Sequence, residues 1–349
     1  MEKYSQFRDK GTAIAPFLPV PTPQASVLWT PIHVLLFLVR LPTLIFLSIF
    51  YFSFLEWLPV GTFVKTCVLW VLLAVPGVWW VDLQVDGVKR GGIDAQRHLP
   101  QAGTIIASSF TSPLDPLYLA GIFCPIFTRS YPGTKKVEPI SLFRAILLAF
   151  SSPTVSPSNP SALVTLKALH AKYPDAIICV FPECTTTNGR GILPFSPSLL
   201  TADPKTKIFP VNVRYTPGDV TTPVPGNYIS WFWKLLSKPT HTMRVRIAHR
   251  IFNNPSLDTP SSSIFNNQDG VRVDELDMGY DTNIFNSPHM RNGIKQGNAE
   301  KEGSRVSADE QKVLDRVGED LARLGRVKRV GLGVQEKISF LKVWSSRRR

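Results

Sequence analysis

The sequence predicts an α/β fold: a mixed sheet flanked by helices and preceded by an N-terminal membrane helical hairpin. Three observations carry this reading. Residues 26–81 hold only three charged side chains, Arg40, Glu56 and Lys65. After residue 81, short apolar runs alternate with helical stretches, the pattern of layered α/β domains. The 349 residues include 44% hydrophobic and 11% aromatic side chains, enough for a large core and too many for wholesale disorder.

The elements follow in chain order. Residues 1–25 form an N-terminal segment too long and proline-rich for a secretory n-region. In the hairpin, 26–81, the uncharged stretches run 41–55 and 66–81. Each is shorter than the roughly 20 residues a span needs. Pro42 and Pro76 interrupt them, and Pro59 with Gly61 marks a turn. The expectation is a hairpin that spans with snorkelling ends or enters one leaflet and returns, with both flanks on one side. A helix pair buried in a soluble core is disfavoured by the length of the run and by Trp79 and Trp80 at its end.

Residues 82–252 form the α/β domain. Strands are expected over 83–87, 103–109, 175–183, 207–215 and 243–250, and a helix from Pro160 to Lys172 with Asn159 as cap. Residues 253–306, rich in Asn, Asp, Ser, Gly and Pro, read as an irregular or disordered insertion. Residues 307–349 read as two amphipathic helices with a basic tail. Ser307 and Glu310 form a capping box, and Val313, Leu314, Val317, Leu321 and Leu324 form an apolar stripe that stops at Gly325. The second helix, Val334 to Trp344, precedes Arg347–Arg349. This pair packs on the domain or, in the sharper reading, anchors in a membrane interface.

The net charge is +13, yet only 19% of residues are charged. A nucleic-acid-binding domain is usually denser in basic groups, so no nucleic acid is expected, and anionic membrane lipid is the expected partner. The four cysteines, Cys67, Cys124, Cys179 and Cys184, include no CxxC pair and no Cys/His spacing, so no metal site is expected. Their pattern and the lack of an Asn-x-Ser/Thr sequon suit a reducing, cytosolic face.

Chemistry is expected in two polar loops that follow strands: Ser108 to Asp115, and Phe181-Pro182-Glu183-Cys184-Thr185-Thr186-Thr187-Asn188-Gly189-Arg190. Ligands of open α/β sheets bind at the carboxyl ends of strands. An acid in each loop, with hydroxyls and an arginine beside it, makes a polar site there.

These loops resemble the signature blocks of the glycerolipid (1-acylglycerol-3-phosphate) acyltransferase superfamily. One block is Asn-His, four residues, then Asp; another is Phe-Pro-Glu-Gly-Thr. Ile208-Phe209-Pro210-Val211 resembles a further block, and residues 1–19 resemble the start of a fungal branch that acts on lysophosphatidic acid and oleoyl-CoA. The resemblance covers roughly residues 1–250. It implies transfer of a fatty acyl chain from acyl-CoA to a lysophospholipid, at an endoplasmic reticulum membrane or lipid droplet, with the domain facing the cytosol. Acyl-CoA is then a co-substrate, and no cofactor is called for.

Asp115, Glu183 and Cys184 fall on the catalytic loops. Ser112, Thr185, Thr186, Asn188, Gly189, Arg190 and Pro210 are the implied substrate-binding set. Three positions depart from the pattern. Phe110 stands where the family has its histidine, Cys184 stands where it has glycine, and 150–160 lacks the arginine of the second block.

A missing base costs about 10²–10⁴-fold. Asp115, deprived of a histidine partner, is the favoured substitute, with a raised pKa. His170, between the loops, reads as an ordinary helix-surface residue. Cys184 offers a covalent thioester route, against a bland reading as a small buried residue. Arg190 is the first candidate for a substrate phosphate and Arg144 the second. Asp115 can also cap a helix starting near Pro116. The rival to the enzyme reading is a silent relative that binds lysolipid or acyl-CoA, or scaffolds partners at a lipid surface.

Overall fold

Short β-branched and aliphatic runs build the sheet. In this computed structural model, residues 2–22, 26–59, 61–88, 98–226, 228–254 and 306–346 are described. The insertion 255–305 and the terminal arginines 347–349 lie outside them. The strands are β1 (Trp80–Val85), β2 (Ile105–Ser108), β3 (Ile126–Ser130), β4 (Val137–Ile140), β5 (Ile178–Val180), β6 (Gly191–Ile192), β7 (Lys207–Thr216), β8 (Thr242–Ile247), β9 (Ile251–Phe252) and β10 (Lys328–Arg329). One sheet has the order β1-β8-β7-β2-β5-β3-β4, with β9 beside β7, and β6 pairs with β10 separately.

The four strands β7, β2, β5 and β3 run parallel, so their carboxyl ends open on one edge. β4 and β8 run antiparallel to β3 and β7. The sheet is therefore mixed, as the sequence predicts, and both signature loops leave from its parallel centre.

The helices are α1 (Thr30–Phe50), α2 (Thr62–Ala74), α3 (Leu114–Phe123), α4 (Leu142–Leu148), α5 (Leu166–Lys172), α6 (Tyr228–Leu236), α7 (Ala308–Gly325) and α8 (Val334–Ser346). One sheet face, with Ile106, Phe209, Val211, Val213 and Val245, packs against α2, α3 and α6. The other, with Ile105, Ala107, Ile178 and Val180, packs against α5 and α7. The α7 stripe is buried there, each large side chain contributing roughly 1.5–3 kcal/mol. Its Ser307–Glu310 capping box is present, and α8 buries Phe340, so both helices of this pair pack on the domain.

The helix expected over Pro160–Lys172 is broken. A 3₁₀ turn covers Pro160–Ala162, and Val164 bridges Val137 with reciprocal backbone bonds of 2.9 Å. Only then does α5 start, capped by Thr165 rather than Asn159. Two ladder bonds by a β-branched residue outweigh the start signal of Asn-Pro.

The apolar hairpin has unequal arms. α1 continues through a π-helical turn, Tyr51–Leu55, giving 26 residues and about 39 Å of axis. That is long enough to cross a membrane; one side, with Phe37, Leu41, Leu44 and Leu47, leans on the core, and the other, with Leu35, Leu38, Val39 and Phe46, is exposed. Its sole cation, Arg40, donates to the carbonyls of Leu236 (3.3 Å), Lys238 (2.5 Å) and Pro239 (3.0 Å), gripping the end of α6.

α2 has 13 residues, about 20 Å, too few to span. It is docked instead: Leu69, Leu72 and Leu73 are buried, and the Trp70 indole donates to the Gly121 carbonyl at 3.0 Å. The expected second uncharged arm, 66–81, ends differently as well, because Trp80 already belongs to β1.

Residues 2–7 and α8 close a third cluster, in which Tyr4, Phe7 and Phe17 surround Phe340.

Candidate active site

The first loop is built around Asp115, which is fully buried in the first turn of α3. One carboxylate oxygen accepts the backbone N–H groups of Thr111 (2.6 Å) and Ser112 (3.0 Å) and the Thr111 hydroxyl (3.1 Å). The other accepts the phenol of Tyr215, at the carboxyl end of β7. Burial pushes the Asp115 pKa up to about 6, while these donors hold it down. The expected rise is present, but the acid is not without a partner. Tyr215 satisfies it, and both oxygens are engaged in shaping the loop.

Phe110 explains why no imidazole is missed structurally. Its ring is 1% exposed and stacks on Phe181 at 4.5 Å between centroids. Phe181 in turn stacks on Phe127. The ring belongs to the apolar core under α3, a place that favours phenyl over a titratable group.

The second loop leaves β5 beside the first. The backbone N–H of Thr187 donates to the Phe110 carbonyl at 3.1 Å, so the loops share a bond. Glu183 is 1% exposed. One oxygen accepts the Leu193 N–H at 3.1 Å, and the other is buried without a partner. Burial pushes its pKa up to about 8; the Leu193 and Phe110 backbones and Lys337 oppose this, and Asp115 reinforces it.

Cys184 adopts φ +59°, the left-handed region that glycine occupies freely. Its thiol is half-buried, and burial pushes its pKa up to about 12. A thiol shifted in that direction is held in its protonated form, which disfavours Cys184 as a nucleophile.

The remaining expected residues divide by what they touch. The Ser112 hydroxyl donates to the Val220 carbonyl (3.0 Å), the Thr186 hydroxyl to the Thr222 carbonyl (2.6 Å), and the Thr222 N–H to the Thr111 carbonyl (2.9 Å). A strap, 217–224, is therefore laced to both loops. The Asn188 side chain donates to the carbonyls of Ala15 and Leu18, each at 2.8 Å, and pins the N-terminal segment.

Gly189 turns the chain at φ +70°, and Arg190 stands exposed at the rim. Pro210 lies inside β7 opposite Ala107, and its carbonyl accepts from Ala248, so it serves the sheet. Arg144 is paired with Glu138 at 2.7 Å.

The histidines do not supply a base among the described residues. His170 lies near Gly103, at the amino end of β2, away from the loops. His241 bonds the Leu235 carbonyl, and His98 faces His249. His289 is outside the described residues.

Two residues escaped the sequence reading. Tyr215 is the last inward aromatic of the Phe209, Val211, Val213 alternation. Lys337, on α8, is fully buried, and its ammonium donates to the Thr185 hydroxyl (2.9 Å), the Thr186 carbonyl (2.6 Å) and the Thr186 hydroxyl (3.0 Å). A lysine on the same helical face as Val334 and Phe340 was the available signal.

Comparison with known proteins adds a family to this geometry. A provisionally named lysophosphatidic acid:oleoyl-CoA acyltransferase of Schizosaccharomyces pombe is 31% identical over 262 residues, covering 71% of this chain and 84% of the relative. The chain belongs to this acyltransferase family. Lysophosphatidic acid:oleoyl-CoA acyltransferase 1 of Saccharomyces cerevisiae is 26% identical over 255 residues, covering 68% of this chain and 80% of that protein. No protein-family model and no solved structure matches. Of the two acids in the signature loops, Asp115 has both oxygens hydrogen-bonded and Glu183 has one buried oxygen without a partner.

Proposed function

We propose that this acyltransferase moves a fatty acyl chain from acyl-CoA to a lysophospholipid, with lysophosphatidic acid giving phosphatidic acid. The names of the two relatives support the substrates. The observation that carries the mechanism is the unpartnered, buried oxygen of Glu183 in the loop after β5.

The acceptor hydroxyl oxygen adds to the thioester carbonyl carbon while its proton passes to the Glu183 carboxylate. The tetrahedral adduct then expels CoA as thiolate, which takes a proton. A carboxyl of pKa about 8 is matched to this exchange near neutral pH. Asp115 and Tyr215 hold the first loop in register beside it. Arg190, exposed at the rim, is placed for a phosphate.

The exposed apolar length of α1, together with Phe143, Ile229 and Trp233 on α4 and α6, suits a membrane surface that holds the lipid substrate. Endoplasmic reticulum membrane or lipid droplet, with the domain on the cytosolic side, belongs to this same proposal.

The test is transfer of radiolabelled oleate from oleoyl-CoA to lysophosphatidic acid by purified full-length protein in lipid nanodiscs. The Glu183→Gln variant is expected to lose about 10²–10⁴-fold, the usual contribution of a general base. Wild-type protein with no product above that variant would overturn the reading. It would also favour a silent relative that binds lysolipid or acyl-CoA, to which the apolar seat of Phe110 points.

A further inference from the structure

Lys337 is the buried cation that the proposed chemistry leaves unused. It comes from α8, more than 140 residues beyond the loop it touches, and donates three hydrogen bonds to that loop. An ammonium taken out of water costs several kcal/mol unless it is compensated. Three oxygens of Thr185 and Thr186 compensate it here, and Glu183 is the acid within electrostatic reach.

We propose that Lys337 is a positioning residue of the acyl-transfer site, fixing the Thr185–Thr186 turn and partnering Glu183, so that the site is complete only when α8 is docked. This rests on the acyltransferase reading of Glu183. α8 is held independently by Phe340 among Tyr4, Phe7 and Phe17, which fixes where Lys337 enters.

The titratable groups facing this pair are few. Lys337 and Glu183 lie within each other's electrostatic reach, as do Glu183 and Asp115, and Cys184 is next in chain to Glu183. Glu336, on the same helix as Lys337, is turned to the Gly333 N–H at 2.7 Å. Burial drives the Lys337 pKa down to about 7 and that of Glu183 up to about 8, and each group's charge opposes the other's shift. The cation also favours the ionised form of Glu183.

The test uses full-length protein in nanodiscs with oleoyl-CoA and lysophosphatidic acid. Lys337→Met is expected to lower kcat about 10²-fold, the cost of about 1 Å of misplacement, with KM for oleoyl-CoA within about twofold. The midpoint of the pH–kcat profile moves to higher pH, because Glu183 loses the cation that favours its ionised form. Lys337→Arg restores part of both. Unchanged kcat and pH midpoint in Lys337→Met would overturn the positioning role.

Thermal unfolding of Lys337→Met, Glu183→Gln and the double variant gives a readout free of activity. The double variant is expected to lose less than the sum of the single losses. Additive losses would overturn the pairing. If wild-type protein transfers no acyl chain, the functional reading fails, and the unfolding cycle alone decides whether Lys337 and Glu183 are coupled.

Discussion

Replacing Tyr215 with phenylalanine removes one oxygen from a fully packed place and leaves the ring. The apolar burial is unchanged, so the loss isolates the hydrogen bond to Asp115. A bond to a buried charged group contributes about 1.5–3 kcal/mol. At roughly 2–4 °C per kcal/mol, Tyr215→Phe lowers the unfolding midpoint by roughly 3–12 °C.

The pH dependence has a definite sign. The Asp115 pKa in the folded chain, about 6, lies above its ordinary 3.8, so the native state favours the protonated acid. Stability from this group is fully present below pH 3.8 and is lost as pH rises to about 6, a change of roughly 3 kcal/mol. The Tyr215 phenol lowers that pKa. Without it the pKa rises further, and the variant loses more stability over a wider window. The gap between variant and wild type therefore grows from pH 4 to pH 8.

Differential scanning fluorimetry of both proteins in nanodiscs at these two pH values measures the gap. A gap that is equal at both values, or absent, would refute the view that the Tyr215 phenol stabilises the ionised form of Asp115.

Other substitutions check other links. Phe110→His breaks the stack on Phe181 and places a polar ring in the apolar core, so it lowers the thermal midpoint; a gain in midpoint would contradict the packing described. Cys184→Gly relieves a left-handed residue, a strain of about 1–2 kcal/mol, and keeps oleoyl transfer; loss of transfer would revive the thioester route. Asn188→Ala deletes two bonds to the N-terminal segment and exposes residues 4–18 to limited proteolysis at rates above wild type. Arg40→Leu frees three carbonyls at the end of α6 and lowers the thermal midpoint, although it makes α1 more apolar.

The parts of the fold that rest on local pattern were legible. The alternation of Phe209, Val211, Val213 and Tyr215 placed β7, and Ser307 with Glu310 placed the start of α7. The two loops were found because turn-forming polar residues follow buried strands. What local pattern does not hold is pairing at a distance. Asp115 read as a lone acid because its partner is 100 residues away in sequence. Lys337 read as one more basic residue of a basic tail, since nothing within its helix announces Thr185 and Thr186. The arms of the hairpin looked equal by charge counting. They differ because Arg40 finds carbonyls at and just after the end of α6, which lets one helix run through a charge, whereas α2 turns its leucines to α3.

The loop 181–190 is held by residues from both ends of the chain: Ala15 and Leu18 on one side and Lys337 on the other. Asp9 meets Gly331 across 322 positions as well. Such contacts close very long loops, and they form late, after local elements have paid their ordering entropy. On a ribosome the order is starker. α1 emerges while most of the chain is still unmade, and the sheet can assemble before α8 exists. The turn of Thr185 and Thr186 remains unbraced until residue 337 clears the exit tunnel, so the loop after β5 is the last part of the domain to be held from both sides.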